Sequence, residues 1–348
     1  MQTYIKLKIH RLLNWEYWPM AMVYYPIFPV WFYLALKARS FFFFNAANPS
    51  IKNGGMAMES KEEIYDLIPQ QYIPKTILVN DNRNIESILT YCRTKGIEFP
   101  MIAKPDIGMK SFGVDKINSD EELQNYMAKM PYSFLLQELI EFPHEIGLFY
   151  VRLPNESHGI ITGIVSKEFM CVEGDGIQSI LQLIKKDPRS HFQLKTLKRK
   201  YGDYLNTILV AKQIFILVPF GSHTRGAKFL DITHEVDQKL TDTMNKICTQ
   251  IPGFFFGRLD IRYSSMDELK QGRNFSIIEL NGAGSDPTHI YDPKHSLLFA
   301  WKEIIKHWKL MYSISRMNFN NGHPYLDYKA GREMLRANKQ LEEQLKLI

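Results

Sequence analysis

Three cysteines in 348 residues, Cys92, Cys171 and Cys248, are too few and too far apart for a disulfide framework or a zinc knuckle. A reducing, cytoplasmic setting is the expectation that follows. Acidic residues are nearly missing from the first 55 positions, where Glu16 stands alone against Lys6, Lys8, Arg11, Lys37, Arg39 and Lys52. Six minus one gives +5 of a total net charge of +6, so the rest of the chain is near neutral. Basic charge confined to one stretch argues for an anionic surface touching that stretch. It argues against nucleic-acid binding, for which no motif appears. No Ser-His-Asp or Cys-His arrangement suggests a side-chain nucleophile. Internal repeats and low-complexity tracts are missing too, and a hydrophobic content of 45% suffices for a sizeable core.

The longest uncharged run, Tyr17 to Leu36, carries Trp18, Tyr24, Tyr25, Phe28, Trp31, Phe32 and Tyr33. A membrane-crossing helix takes roughly 20 residues, so length permits a span. Pro19, Pro26 and Pro29 break the run, and Trp and Tyr favour the headgroup level. The expectation is a peripheral contact with the inner face of a membrane through residues 1–40; a dock on the protein's own body, or a homodimer, is the alternative. A secretory signal peptide is not expected.

Asn45 to Gly55, reading NAANPSIKNGG, has the composition of a turn-rich linker, giving three expected segments, 1–55, 56–295 and 296–348. Ser60 followed by Glu62 and Glu63 marks a helix start, and Pro69 its stop. Strand-like runs at Thr76–Val79, Met101–Lys104, Phe134–Gln137 and Ile146–Leu153 alternate with helical patterns at Ile85–Thr94 and Asp120–Met130, so the body mixes helix and strand. Leu297–Ile314 places Leu298, Trp301, Ile305, Trp308 and Tyr312 at helical spacing, a core-covering stripe. Gly331–Ile348 reads as a charged, exposed helix.

The strands Phe254–Tyr263 and Phe275–Leu280 read as a hairpin-like unit. Alternation puts Glu279 and Asn281 on one face, and pairing brings Asp260 beside them. Three hard oxygen donors suit Mg2+ held together with a nucleotide, and Arg258 shares the face of Asp260 and can neutralise a phosphoryl group. A buried Asp and Glu that simply pair with Arg258 or Arg262 is the competing expectation. Upstream, an apolar strand delivers Lys104 to a loop, Asp106–Gly113, whose Lys110 and Ser111 suit a cover over phosphates. Backbone groups near Leu139 and Ile140 can read an adenine edge, and Glu145 can accept ribose hydroxyls. The basic stretch Lys185–Lys200 can face an acidic ligand, though a solvated helix face is the commoner outcome. Asp286, His289 and Tyr291 can line an acceptor pocket, with a structural role for His289 as the alternative.

In this order, IAKPDIGMKSFGV, LLQELI, PHEIGL, FGRLDIR and IIELNGAGS resemble the ATP-grasp superfamily, and the FGRLDIR strand resembles that of D-alanine:D-alanine ligases. GDGIQSI, DPR and SHTRG running into DITHE resemble the ATP-grasp portion of cyanophycin synthetase-type ligases. The resemblance covers about residues 60–295 and implies an α+β fold in which two subdomains grip ATP. It implies that Lys104, Lys110 and Ser111 meet the phosphates, that Glu138, Leu139 and Ile140 form the adenine hinge, and that Glu145 sits at the ribose. Arg258 would stabilise the transferring group, Asp260, Glu279 and Asn281 would hold one or two Mg2+ ions, and Arg225 would lie beside the reacting carboxylate. Two departures stand out. Residues 1–59 are too short and too aromatic for the α/β domain that usually comes first, and Ala227 replaces the second glycine of a Gly-Gly pair. The implied activity is ATP-dependent ligation of a small-molecule or lipid-borne carboxylate to an amine; a hydroxyl-phosphorylating kinase or a non-catalytic membrane-bound scaffold is the alternative.

Overall fold

Short polar side chains set the helix starts of this chain. Ser60, Asn84, Ser119, Asp187, Ser265, Ser296 and Asp327 each accept a backbone N–H from the first turn, and Ser179 does so within a full capping box with Gln182. A computed structural model describes residues 2–80 and 83–347. Met1 and Ile348, the outer limits of the first and third expected segments, lie outside the described residues.

The strands are β1 (Thr76–Val79), β2 (Met101–Pro105), β3 (Asp115–Ile117), β4 (Phe134–Glu138), β5 (His144–Val151) and β6 (Ile160–Glu168). They continue with β7 (Met170–Glu173), β8 (Ile214–Val218), β9 (Lys228–Asp231), β10 (Phe256–Tyr263) and β11 (Phe275–Asn281). One antiparallel sheet has the order β1-β4-β2-β3, a second the order β11-β10-β5-β6-β9, and β7 pairs with β8 as a ribbon. The α+β expectation is met. Strands β1, β2 and β4 and the helix Ile85–Thr94 fall where the sequence pattern puts them.

The smaller sheet buries Ile77, Met101, Ala103 and Leu136 against the helices Ile85–Thr94 and Asp120–Lys129. The larger sheet is covered twice. Leu148, Leu259 and Ile277 share a core with Leu240, Met244 and Ile247 of the helix Gln238–Cys248. Phe149, Val151 and Phe256 belong to another, with Trp31, Phe43, Met311 and Ile314. A side chain as fully buried as Phe43 contributes about 1.5–3 kcal/mol relative to exposure.

Three sequence expectations are corrected. Residues 45–55 are packed into the body rather than a linker, with Ser50 and Lys52 alone exposed. Asn48 is fully buried; its amide donates to the carbonyls of Gly54 and Phe256 and accepts from the backbone N–H groups of Phe255 and Phe256. The carbonyls of Gly54 and Gly55 accept from Ala283 and Gly284, so the stretch docks beside the end of β11. Turn residues, read as a surface signal, here let two backbones meet. The helix Leu297–Asn320 buries Ala300, Ile304, Met311 and Ile314; Leu298 is exposed, and Trp301, Ile305 and Trp308 are half-buried under the N-terminal aromatic segment. The helix Tyr328–Leu345 is exposed on one side only, because Leu341 and Leu345 join the core of the smaller sheet and Gly331 packs on the ring of Phe42.

Candidate functional site

Antiparallel pairing places Asp260 directly opposite Glu279 and Arg258 directly opposite Asn281, with a register shift just past Asp260. Lys104, near the end of β2 in the other sheet, reaches this strand pair, and all five residues line a cleft of about 940 Å³. Its ammonium is buried and donates to Tyr65 Oη at 2.6 Å, Gln137 Oε1 at 2.9 Å and the carbonyl of Ile278 at 3.2 Å. Burial lowers the Lys104 pKa to about 8 against the opposing pull of Glu279, leaving a cation that gains from an anionic ligand.

The carboxylates of the larger sheet are unequally engaged. Asp260 takes Arg258 Nε at 2.8 Å on one oxygen, and Arg258 Nη2 at 3.1 Å and Lys167 Nζ at 3.0 Å on the other. Burial works to raise its pKa, but Arg258 and Lys167 outweigh burial and hold it at about 2. Glu145 is paired with Lys167 at 2.9 Å and Arg262 at 3.2 Å. The competing expectation of structural Asp–Arg and Glu–Arg pairs thus describes part of the site. Glu279 differs: among the described residues it makes no ion pair, while the buried Nδ2 of Asn281 and the buried Oε2 of Glu59 nearby have no hydrogen-bond partner. Two carboxylates and an amide oxygen on facing strand positions, with the unsatisfied Glu59 Oε2 nearby, are oxygen donors of the kind that fits a hard divalent cation, while the unpartnered Asn281 Nδ2 suits an anionic acceptor such as a phosphate oxygen.

Glu138, Leu139 and Ile140 line the cleft where β4 runs out, and the Glu138 carboxylate accepts from Lys75 N at 2.8 Å. Glu145 also lines the cleft, but through its ion pairs with Lys167 and Arg262. Lys110 and Ser111 both adopt left-handed backbone conformations, φ 54° and 59°, in the loop over the opening. The Lys110 ammonium reaches away to Glu342 at 2.7 Å. Arg225 is outside the cleft lining; it donates to the carbonyls of Ser111 and Val114 and so holds the loop from across. His289 is buried between Gly163 and Glu303 and does not line the cleft, whereas Asp286 and Tyr291 do. Most of the Lys185–Lys200 charges are exposed; Arg189 is the exception.

Several cleft residues were invisible in the sequence. Lys167 closes a run of alternating charges, Glu145–Lys167–Asp260–Arg258; the pattern GIVSK, an apolar run ending in a lysine like that before Lys104, was its only signal. Lys61, half-buried, donates to three loop carbonyls, those of Pro105, Asp106 and Gly108. At the far end the N-terminal segment itself becomes a wall. Glu16 binds Arg189 at 2.7 Å and His223 at 3.0 Å, and these bonds override the effect of burial and lower its pKa. Tyr24 and Tyr291 both donate to Asp286, whose pKa burial nevertheless raises.

No family model matches the chain, and no curated protein matches its sequence. Among solved structures the chain is similar to a D-alanine–D-alanine ligase from Bacillus anthracis, at 12% identity and a TM-score of 0.45, over 78% of this chain and 71% of that one. It is similar to the VanG D-Ala:D-Ser ligase from Enterococcus faecalis, at 14% identity and a TM-score of 0.41, over 74% and 62%. A bifunctional glutathione synthetase from Pasteurella multocida gives 13% identity and a TM-score of 0.37, over 77% and 38%. The chain therefore spans well under two thirds of the glutathione synthetase and slightly under two thirds of VanG. At these values the likenesses assign no substrate, and the chemistry follows from the cleft's own side chains.

Proposed function

We propose that the cleft is the ATP site of an ATP-grasp enzyme that joins a carboxylate to an amine through an acyl phosphate. The observation that carries this reading is the pair of facing positions, Asp260 with Glu279 and Arg258 with Asn281, in one cleft with the buried Lys104. Glu138, Leu139 and Ile140 would receive the adenine, and Glu145 would face the ribose. Lys104, with Lys110 and Ser111 of the loop, would bind the phosphates. Asp260, Glu279 and Asn281 would hold Mg2+, which when bound offsets phosphate charge.

A carboxylate oxygen of the substrate attacks the γ-phosphorus in line; the bond to the bridging oxygen breaks and ADP leaves. Lys104 keeps the terminal phosphate in place while Arg258, already aligned by Asp260, compensates charge on the transferred group. An amine nitrogen then attacks the acyl carbon, the C–N bond forms, phosphate departs, and the amine proton passes to solvent. Arg258 would stabilise the tetrahedral oxyanion of that step. Arg225, by holding the Ser111 and Val114 carbonyls, would keep the loop closed over the reacting groups.

Incubation with ATP, Mg2+, hydroxylamine and a panel of amino acids, peptides and carboxylate-bearing lipids tests the reading. A carboxylate-dependent hydroxamate with ADP release is expected. A stable phosphate ester without hydroxamate would assign the same site to a kinase.

A further inference from the structure

The N-terminal segment has two apolar faces, and the fold covers one. From Met20 to Ala38 the inner positions Val23, Ile27, Trp31, Leu34 and Ala38 recur at three- and four-residue spacing and are buried, and Met22, Tyr25, Phe32, Tyr33 and Leu36 are exposed. Leu36 is 77% exposed. The helix Gln2–Leu13 adds Ile5, Ile9, Leu12 and Leu13, all exposed. Isolated exposed apolar residues are ordinary, whereas these large ones, concentrated in the first 36 positions, mark an interaction surface.

Charge says what covers it. Lys6, Lys8, Arg11, Lys37 and Arg39 flank the exposed series, and the single acid of the stretch, Glu16, is already neutralised by Arg189 and His223. The helix Leu297–Asn320, on which the segment lies, contributes Lys302, Lys306, Lys309 and Arg316 against Glu303 alone. Exposed apolar residues in a segment with this excess of basic over acidic charge complement an anionic lipid surface. The stretch Met20–Ala38 is long and apolar enough to cross a membrane. Crossing would strip Trp31 from its contact with Trp308 at 5.2 Å and break the bond from Trp301 Nε1 to the Val23 carbonyl at 2.8 Å.

We propose that this outer face seats on an anionic bilayer, with the segment lying along the surface and its inner face remaining docked. Met20 is exposed on the same segment and also lines the cleft, next to Tyr17 and Trp18. Seating therefore sets that end of the cleft at the lipid headgroups. The proposal stands apart from the ligase reading, since it rests on residues that take no part in nucleotide binding.

Co-sedimentation of the full chain with phosphatidylcholine vesicles, with and without phosphatidylglycerol, tests it. The chain is expected to pellet with the anionic vesicles, less so in high salt. Each of Lys6→Gln, Arg11→Gln and Arg39→Gln should weaken binding roughly fivefold. The exposed double change Phe32→Asp with Leu36→Asp should abolish binding while ATP binding in solution stays the same. Failure of the unaltered chain to bind anionic vesicles overturns the proposal, as does undiminished binding of the double variant. A dimer in solution that the double variant dissociates, with no vesicle binding, assigns the face to a second copy and also overturns it.

Discussion

The two ends of the cleft are built by opposite means. At one end, regular strands present Asp260, Glu279 and Asn281 from neighbouring positions whose spacing the hydrogen-bond ladder sets, and a strand of the other sheet brings Lys104 to them. At the other, Glu16 and Tyr24 reach partners 173 to 262 residues away in sequence, and only tertiary docking holds them there. A ladder survives loss of one side chain; a dock depends on each of its few polar ties. The strand-built end should therefore lose chemistry without losing its shape, and the docked end should lose shape first.

The largest effect expected is at the strand-built end. Glu279→Gln keeps the volume and removes a charge that makes no direct ion pair among the described residues, so ATP turnover should fall by about 10²–10³-fold with the melting temperature nearly unchanged. Unchanged turnover measured by ADP release would remove Glu279 from the site. Next comes the seam where the two constructions meet. Gly55 has φ 73°, and a Cβ there would stand 2.7 Å from Gly282 Cα, so Gly55→Ala should destabilise by about 3 kcal/mol in urea unfolding. A smaller cost would mean that the seam is loose.

Glu16→Ala leaves Arg189 and His223 without their carboxylate; a loss of about 2 kcal/mol is expected, with nucleotide affinity the same as in the unaltered chain. If nucleotide affinity fell as well, the two ends would not be separable. The smallest effect is a titration. Because burial lowers the Lys104 pKa to about 8, its ammonium is charged below that pH and lost above it. The dissociation constant for ATP should accordingly rise by up to about tenfold per pH unit above 8 and stay level just below it. A Lys104→Arg variant, charged throughout, should flatten that rise.

What was legible in the sequence follows the same division. Strands β10 and β11 could be paired on paper because alternate residues announce a face, and the Asp260–Glu279 juxtaposition needed nothing further. Strand β6 escaped notice because Thr162 and Gly163 interrupt its apolar run, and Gly163 is there to admit the His289 ring. Lys167 was lost with it. Residues 45–55 looked like surface because Asn, Pro and Gly usually signal turns, yet a single buried asparagine, satisfied by four backbone groups, makes a core of them. The partnership of Tyr24 with Asp286 leaves no local trace at all. Its residues became meaningful only once the segment had somewhere to lie.

The ion pair between Lys110 and Glu342 has a consequence in time rather than in space. The two residues are 232 positions apart, and the same helix that supplies Glu342 packs Gly331 on Phe42 and Leu345 beside Gly108. During synthesis the loop over the cleft emerges long before the counter-ion of its lysine does. A nascent chain released up to residue 320 has all of its cleft strands and the loop ties from Lys61 and Arg225, and the helix Tyr328–Leu345 adds the partner of Lys110 last.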